Sequence, residues 1–189
     1  KERVYNLKEI NALRDYFNTR PRKPDNADAA AIGFVNFKGG AGKTTSAMLS
    51  AQYFAKCGYK VLFIDCDSQG SATQMFGYIP DEDFDSSDTI LNVLTGEKDS
   101  LDDIVRKTYW DGLDLIPANL SLYNAELIIP GQITEYAART GEALPFYDRL
   151  NKCMESLRRE YDIIILDCPP SMGMISINAI YSANALIIE

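Results

Sequence analysis

Residues 36–45 read Asn-Phe-Lys-Gly-Gly-Ala-Gly-Lys-Thr-Thr and follow a short apolar run at residues 31–35. Closely spaced glycines let the backbone adopt positive φ and turn successive N–H groups inward, which forms a nest for an anion. Lys43 and Thr44 stand where a following helix would begin, and a helix N-terminus attracts anions. The common phosphate-loop pattern G-x-x-x-x-G-K-[ST] is met except at its first position, where Phe37 replaces glycine. A purely structural glycine turn would not explain Lys-Thr at this place. The stretch therefore predicts a phosphate-binding loop between a strand and a helix.

The sequence around this loop predicts a parallel sheet. A stretch with apolar residues at helical spacing follows the loop, Gly58 stands where that helix would end, and Val61–Ile64 is apolar throughout. Strand, loop, helix and strand within residues 31–64 have the size of a βαβ unit. Further strand-like runs lie at residues 113–116, 163–166 and 186–188. Runs without polar alternation suit parallel strands covered on both faces. We predict an α/β fold of the P-loop NTPase type, a mostly parallel sheet with helices on both faces, preceded by a short N-terminal helix.

The N-terminal part is predicted to be separate from this domain. Residues 7–18 carry apolar residues at helical spacing and predict an amphipathic helix, whereas two prolines and polar residues predict a linker after it. We therefore divide the chain into an N-terminal helix and linker, 1–26, and an α/β domain with the phosphate loop, 27–189. Because the chain stops within a strand-like run that we expect to be buried, we also expect the domain to be truncated at its C-terminus.

Two further helices are predicted outside the sheet. Residues 87–88, Ser-Asp, are placed to cap a helix over Thr89–Leu94, which Gly96 would end. Apolar residues from Phe146 to Leu157 predict one long helix.

Acidic residues follow two of the apolar strand-like runs. Asp65 and Asp67 follow the run at residues 61–64, and Asp167 follows the run at residues 163–166. Each acid alone is also common as a helix cap or turn residue. Because ligands of open parallel sheets bind at the carboxyl ends of the strands, the three carboxylates should meet the phosphate loop. Mg²⁺ takes oxygen ligands and keeps several waters. The sequence therefore predicts a magnesium nucleotide site, with Lys43 between the β- and γ-phosphates and the Thr44 hydroxyl on the metal.

The net charge of −8 is concentrated in one segment. Residues 81–103 hold nine acidic residues and one basic residue, whereas residues 1–24 hold seven basic residues and three acidic ones. We expect the acidic stretch to be a solvated surface and a contact with nucleic-acid phosphates to be plausible only near the N-terminus.

Composition argues against several classes of protein. No apolar run approaches the roughly 20 residues needed to span a bilayer, and the first residues lack the apolar region of a signal peptide. The chain has no histidine, and its cysteines form no C-x-x-C pair, so a zinc site is not expected. We expect free cysteines in a cytoplasmic protein. These are Cys57, Cys66, Cys153 and Cys168.

The stretch Lys38–Thr44 matches K-G-G-x-G-K-[ST], the mark of the deviant Walker A ATPases, which include ParA, MinD and the nitrogenase iron protein. Within that group the chain most resembles the ParA-type plasmid partition ATPases, in the RepA branch of large low-copy replicons. The likeness covers most of residues 31–189, and residues 1–20 resemble the end of an N-terminal DNA-binding extension. The stretches that carry it are Asn36–Thr45, Val61–Thr73, Leu115–Glu126 and Tyr161–Gly173.

The resemblance implies roles for individual residues. Lys38 would reach across a dimer to the partner's ATP, and Asp67 would position the attacking water, so the implied catalytic residues are Lys38, Lys43 and Asp67. Thr44, Asp65 and Asp167 would organise Mg²⁺, the acids through water. The implied nucleotide-binding residues are Lys38, Gly39, Gly40, Ala41, Gly42, Lys43, Thr44 and Thr45.

Two segments match the family's switches, Ser68–Thr73 and Cys168–Gly173. Ser68 stands where the family commonly has proline. We expect this departure to change the stiffness of the loop and not its chemistry.

The resemblance also implies a function. The protein would hydrolyse ATP slowly, dimerise when bound to ATP, and bind DNA without sequence preference. A ParB-type centromere-binding partner and DNA would stimulate hydrolysis and so drive plasmid segregation at the bacterial nucleoid. Repression of its own operon is an implied second activity.

Three alternatives stay open. A MinD-like ATPase acting at the membrane surface would need an amphipathic C-terminal helix, which residues 1–189 do not contain. A relative of the iron protein would need cysteines that bridge two subunits at a cluster, whereas Cys66 and Cys168 are typical of small buried residues. A DNA-binding repressor could use ATP only as a ligand. The adenine contacts and the DNA-binding surface are expected beyond Glu189.

Overall fold

A six-stranded sheet forms the centre of the structure, a computed structural model that describes residues 4–36, 38–40 and 42–188. In chain order its strands are β1 (Ala30–Val35), β2 (Val61–Asp65), β3 (Arg106–Lys107), β4 (Leu113–Ile116), β5 (Ile163–Asp167) and β6 (Ala185–Ile188).

The strand order across the sheet is β3-β4-β2-β5-β1-β6. Strand β5 lies between β1 and β2 and runs parallel to both, so that Ile163 pairs with Ala30 on one side and with Val61 on the other. Among the described strands, β3 alone runs antiparallel to its neighbour. Every residue of β2, β4 and β5 is buried, because helices cover both faces. The predicted mostly parallel sheet is confirmed.

The helices occupy both faces of the sheet. In chain order they are α1 (Leu7–Tyr16), α2 (Lys43–Cys57), α3 (Ser71–Met75), α4 (Pro80–Asp83), α5 (Leu91–Leu94), α6 (Asn124–Thr140), α7 (Arg149–Cys153), α8 (Glu155–Glu160) and α9 (Met174–Ser182). Successive residues of a strand face opposite sides. Phe63 accordingly belongs to one core with α2 and α3, whereas Leu62 belongs to the other core with α5 to α9.

The N-terminal helix α1 is confirmed, and a polar side chain is its buried contact with the domain. A capping box between Asn6 and Glu9 begins it, and it ends at Tyr16, two residues before the predicted end. The buried residue of α1 is the polar Asn11, whereas Leu13 is 44% exposed. Apolar side chains of α1 therefore contribute little to its attachment to the domain. The helix is held by a hydrogen bond from the Asn11 amide to Asp111, at 2.8 Å.

The single long helix predicted from Phe146 to Leu157 was also wrong. The segment consists of a 3₁₀ turn at Phe146–Asp148 followed by α7 and α8. The break lies at Met154, whose N–H is shared between the carbonyls of Leu150 and Asn151. This sharing tightens the last turn of α7 in the manner of a 3₁₀ turn.

Two other predicted elements need small corrections. The helix expected over Thr89–Leu94 begins at Leu91, because the Thr89 hydroxyl accepts the Leu91 N–H at 3.2 Å. The strand expected over residues 186–188 is present as β6, but it was expected to be buried. It is exposed, since it lies at the edge of the sheet with β1 as its described neighbour.

Among the residues described, no helix combines the length and the apolar character that crossing a membrane requires.

Candidate functional site

The site lies where the carboxyl ends of β1, β2 and β5 meet. In the sheet register Asp65 of β2 is opposite Asp167 of β5, and Asp167 is opposite Phe34 of β1. Strand β1 leads directly into the glycine-rich loop. The fold therefore brings the predicted acids to the predicted phosphate loop, at the edge where open parallel sheets bind ligands.

The phosphate loop has the backbone conformation that its glycines allow. Gly40 and Gly42 have φ of 75° and 89°, in the left-handed region that glycine adopts without steric cost. Gly42 is the N-cap of α2, so Lys43 is the first residue of the helix. The predicted binding residue Ala41, and Phe37 where the common pattern fails, lie outside the described residues. With α2 beginning at this loop, its positive end faces the site.

Lys43 and Asp167 form a buried ion pair at the base of the loop. The Lys43 Nζ lies 2.5 Å from Asp167 Oδ1, and both side chains are buried. Burial raises the pKa of Asp167 above its ordinary value, and the neighbouring Lys43 ammonium and Thr44 hydroxyl partly offset this effect. The lysine predicted to bind phosphates is therefore held in place by the acid predicted to organise the metal.

The second carboxylate oxygen of Asp167 is the feature that best fits a cation. Asp167 Oδ2 is buried and has no hydrogen-bond partner among the residues the structure describes. A buried acceptor without a donor is costly unless a ligand or ion satisfies it. In the described part of the chain, no cluster of three or more His, Cys, Asp or Glu side chains could hold a metal by itself. These donors fit Mg²⁺ held by Thr44, phosphate oxygens and waters, with Asp167 beside it.

Asp65 has a different environment from Asp167, because protein donors already satisfy it. Its Oδ1 accepts the Asp67 N–H at 3.1 Å. Its Oδ2 accepts the N–H and the hydroxyl of Thr73 at 2.9 and 2.8 Å. Burial, followed by the charge of Asp167, raises the pKa of Asp65 to about 7 against these hydrogen bonds. Asp65 thus ties the turn at Asp67 to the first turn of α3, and its predicted metal role stays a prediction.

Lys38 and Asp67 line an open cleft above the loop. The cleft has a volume of about 390 Å³, and Met75 and Pro170 form part of its wall. Lys38 is exposed at its mouth. Asp67 is partly exposed, and its Oδ1 accepts the Gln69 N–H at 3.0 Å. Both residues line this cleft together with Lys43 and Thr44.

A larger cavity of about 590 Å³ lies where the linker meets the domain, and it is lined by opposite charges. Many of these charges pair with one another, as Lys60 does with Glu160 at 2.6 Å and Lys107 with Asp114 at 2.8 Å. Since its charges largely satisfy each other, the smaller cleft at the phosphate loop is the candidate site.

The cysteines beside the acids belong to the core. Cys66 and Cys168 are fully buried, and burial raises the pKa of both thiols. The interpretation of these cysteines as small buried residues is confirmed.

Two residues of the site were missed by sequence reasoning. Thr73 orients Asp65, and Glu126 binds the backbone that follows the Asp167 strand. Both lay at the ends of stretches that carried the family resemblance, Val61–Thr73 and Leu115–Glu126. Their place in these stretches was the sequence signal that could have marked them as site residues. Their side-chain partners could not be predicted, because those partners depend on the tertiary fold.

Comparison with known proteins identifies the family. A model of the AAA_31 family, described as an AAA domain, matches residues 29–189. The chain belongs to this family. The match covers the sheet, the phosphate loop and the three acids.

Relatives within the family confirm the resemblance to ParA-type partition ATPases. A Rhizobium rhizogenes protein that bears the name replication protein A is 33% identical over 196 residues. The match covers 98% of this chain and 48% of that protein. SopA of Escherichia coli K12 is 34% identical over 185 residues, covering 97% of this chain and 47% of SopA. The chain thus spans about half the length of these relatives.

Solved structures share the fold. Cobyrinic acid a,c-diamide synthase of Mycobacterium smegmatis, solved with an ATP analogue and magnesium, has a TM-score of 0.70 at 29% identity, covering 85% of this chain and 57% of that chain. A plasmid partition protein of Borrelia burgdorferi has a TM-score of 0.66 at 27% identity, covering 85% of this chain and 65% of that chain.

Proposed function

We propose that this chain is the nucleotide-binding part of a ParA-type ATPase that binds ATP and Mg²⁺, hydrolyses the ATP, and uses the nucleotide to control its own dimerisation during DNA partition. The observation that carries this proposal is the buried Lys43–Asp167 pair at the N-terminus of α2, with Lys38 exposed above it. A structural salt bridge alone would not require the second lysine at the mouth of the cleft.

ATP binding follows from the chemistry of the loop. Backbone N–H groups of the glycine turn and the N-terminus of α2 would hold the phosphates, and Lys43 would bridge the β- and γ-phosphates. Thr44 and Asp167 would hold Mg²⁺ directly or through water. The metal would neutralise the charge that develops on the phosphate oxygens.

Hydrolysis would depend on Asp67. Its carboxylate lines the cleft, and the turn that Asp65 and Thr73 stabilise fixes its position. We assign Asp67 to the orientation of the attacking water. Slow turnover is expected without a partner, because a fixed acid alone supplies little stabilisation of the transferring phosphoryl group.

Dimerisation would depend on Lys38. Because Lys38 is exposed and lines the cleft, we assign it to the phosphates bound by a second subunit. A cation supplied in trans accelerates phosphoryl transfer by about 10³–10⁵ in related systems. It also links the dimer to the γ-phosphate, so hydrolysis would weaken the interface.

Partners are proposed from the relatives and the structural neighbours. The partition protein of Borrelia burgdorferi supports a role in plasmid segregation. We extend this role to a ParB-type partner, to DNA bound without sequence preference, and to a place at the bacterial nucleoid in the cytoplasm. Repression of its own operon would use the basic N-terminal residues.

Size-exclusion chromatography with light scattering on the full-length protein tests this proposal. The protein would be run with Mg²⁺ and ADP, ATP or a slowly hydrolysed analogue, each with and without DNA. We expect a monomer with ADP, and a dimer with ATP that Lys38→Ala abolishes. Lys56→Ala, an exposed lysine at the far end of α2, is the matched control. A protein that stays monomeric when saturated with Mg·ATP would refute the switch.

A further inference from the structure

The segment Cys168–Gly173 connects the Asp167 strand to α9 and borders the nucleotide cleft. Pro170 forms part of the cleft wall. Two internal contacts tie the segment to α9: the Ser176 hydroxyl donates to the Ser171 carbonyl, and the Ile177 N–H donates to the Gly173 carbonyl at 3.0 Å. The position of this wall therefore depends on what holds the N-terminal end of α9.

Glu126, in the first turn of α6, holds that end. Its Oε2 accepts the Met174 N–H at 2.8 Å, and its Oε1 accepts the Ile175 N–H at 3.1 Å. The first N–H groups of a helix have no partner within the helix and attract negative charge. One carboxylate from a neighbouring helix thus binds two of these groups at once.

Gly173 makes room for this contact. A Cβ atom at Gly173 would lie 2.3 to 2.5 Å from the carboxylate atoms of Glu126, closer than real Cβ atoms approach. The backbone of Gly173, with φ of −104°, does not itself require glycine. The absence of a side chain at this position therefore serves the close approach of Glu126.

The stretch that ends at Glu126 is also linked to the other acid, Asp65, through Thr73. The Ala118 N–H donates to the Thr73 hydroxyl at 3.0 Å, and the same hydroxyl donates to Asp65. Residues 118–126 therefore contact α3, which follows Asp65, at one end and α9, which follows Asp167, at the other.

We propose that Glu126 is a positioning residue, which holds α9 so that Cys168–Gly173 keeps the geometry needed for nucleotide turnover. This role rests on the proposed ATPase function. The contact itself does not, so the two are tested by separate measurements. A second consequence is that a side chain at position 173 would displace the Glu126 carboxylate from this contact.

Thermal unfolding of four full-length variants tests the contact without nucleotide. Gly173→Ala and Glu126→Ala should each lower Tm by about 2–4 °C, since each disturbs a helix cap. The double variant should be as stable as Glu126→Ala, because removing the carboxylate removes the clash. The matched control is Gly131→Ala in α6, where a Cβ meets nothing within 4 Å. Additive losses in the double variant would overturn the contact.

Steady-state ATPase kinetics and amide exchange test the positioning role. Glu126→Gln keeps the size of the side chain but sets an amide N–H₂ against one helix N–H. We expect kcat to fall by about tenfold with KM for ATP changed less than about twofold, because the phosphate loop is untouched. The amides of Met174 and Ile175 should exchange at least about tenfold faster. Glu135→Gln, an exposed glutamate of the same helix, is the control.

The outcomes separate the two proposals. Faster exchange with unchanged kcat would overturn the positioning role while the contact stands. Unchanged exchange would overturn the inference altogether. A wild-type protein that binds no ATP would refute the proposed function, and with it the positioning role, whatever the unfolding cycle shows.

Discussion

Lys43 Nζ lies 2.5 Å from Asp167 Oδ1, and both side chains are buried, so the phosphate lysine is anchored to the neighbouring strand. Phosphate oxygens entering the loop would compete with Asp167 for this ammonium. The carboxylate would then be available to Mg²⁺ or to its water. Nucleotide and metal are therefore expected to bind together. The phosphates would replace Asp167 as the partner of Lys43, and Mg²⁺ or its water would replace Lys43 as the partner of Asp167.

Replacement of Lys43 by alanine should abolish ATP binding. At micromolar affinity this would remove roughly 8 kcal/mol of interaction, measured by fluorescence titration with a labelled nucleotide. Because the substitution also leaves Asp167 buried without its partner, folding must be checked by circular dichroism. The double variant Lys43→Ala/Asp167→Asn removes that charge and should fold but still bind no ATP. Normal ATP affinity in Lys43→Ala would refute the assignment of the loop.

Replacement of Asp67 by alanine should leave ATP binding and dimerisation intact and remove hydrolysis. The carboxylate lies in the cleft without a described contact to Lys43, so the loss should appear in kcat and not in nucleotide affinity. Phosphate release and chromatography on the same sample measure both properties. Asp99→Ala, an exposed aspartate of the acidic segment, is the control. Intact turnover would place the water-positioning role on another residue.

The sheet and the phosphate loop could be predicted from sequence because their signals are local. Buried parallel strands are apolar at every position, and an acid directly after such a strand lies at the ligand edge whatever the rest of the chain does. The positions of Asp65 and Asp167 follow from these two rules, and that of Lys43 follows from the glycine-rich loop before its helix. The order of the strands and the neighbours of each acid required the tertiary structure.

The contacts of Thr73 and Glu126 could not be predicted, because they join residues that are not neighbours in the sequence. Glu126 is 48 residues from Met174, and no local pattern indicates that its carboxylate caps a distant helix. Periodicity predicted the helix α1 but gave no sign that its buried residue is the polar Asn11. There, hydrogen bonds and not apolar burial attach the helix to the domain.

The free energy of unfolding should fall as pH rises from about 4 to about 7. Burial raises the pKa of Asp65 to about 7 from 3.8, so in this window the folded protein retains a proton that the unfolded chain loses. The full effect is at most about 4 kcal/mol. Asp167, whose pKa is also raised, acts in the same direction. Urea unfolding at several pH values, without Mg²⁺ and with chelator, measures the slope.

The variant Asp65→Asn should flatten this slope, because it removes the titrating group with the largest effect. Glu135→Gln, which replaces an exposed glutamate of α6, is the control. Asp85, Asp103 and Asp148 have lowered pKa values, so their contributions change only below about pH 4 and do not obscure the window. A wild-type stability that is constant or rises between pH 4 and pH 7 would show that Asp65 ionises at its ordinary pKa.

Replacement of Tyr161 by phenylalanine should destabilise the domain by about 1–3 kcal/mol, because it removes a donor from a buried carboxylate. The Tyr161 hydroxyl donates to Asp114 Oδ2 at 2.7 Å, and Lys107 Nζ lies 2.8 Å from the same oxygen. Lys107 is largely exposed, so water competes with it and it cannot replace the phenol. Urea unfolding at neutral pH measures the loss, with Tyr53→Phe, an exposed tyrosine, as the control. Equal midpoints for Tyr161→Phe and the wild type would mean that Asp114 is satisfied without the phenol.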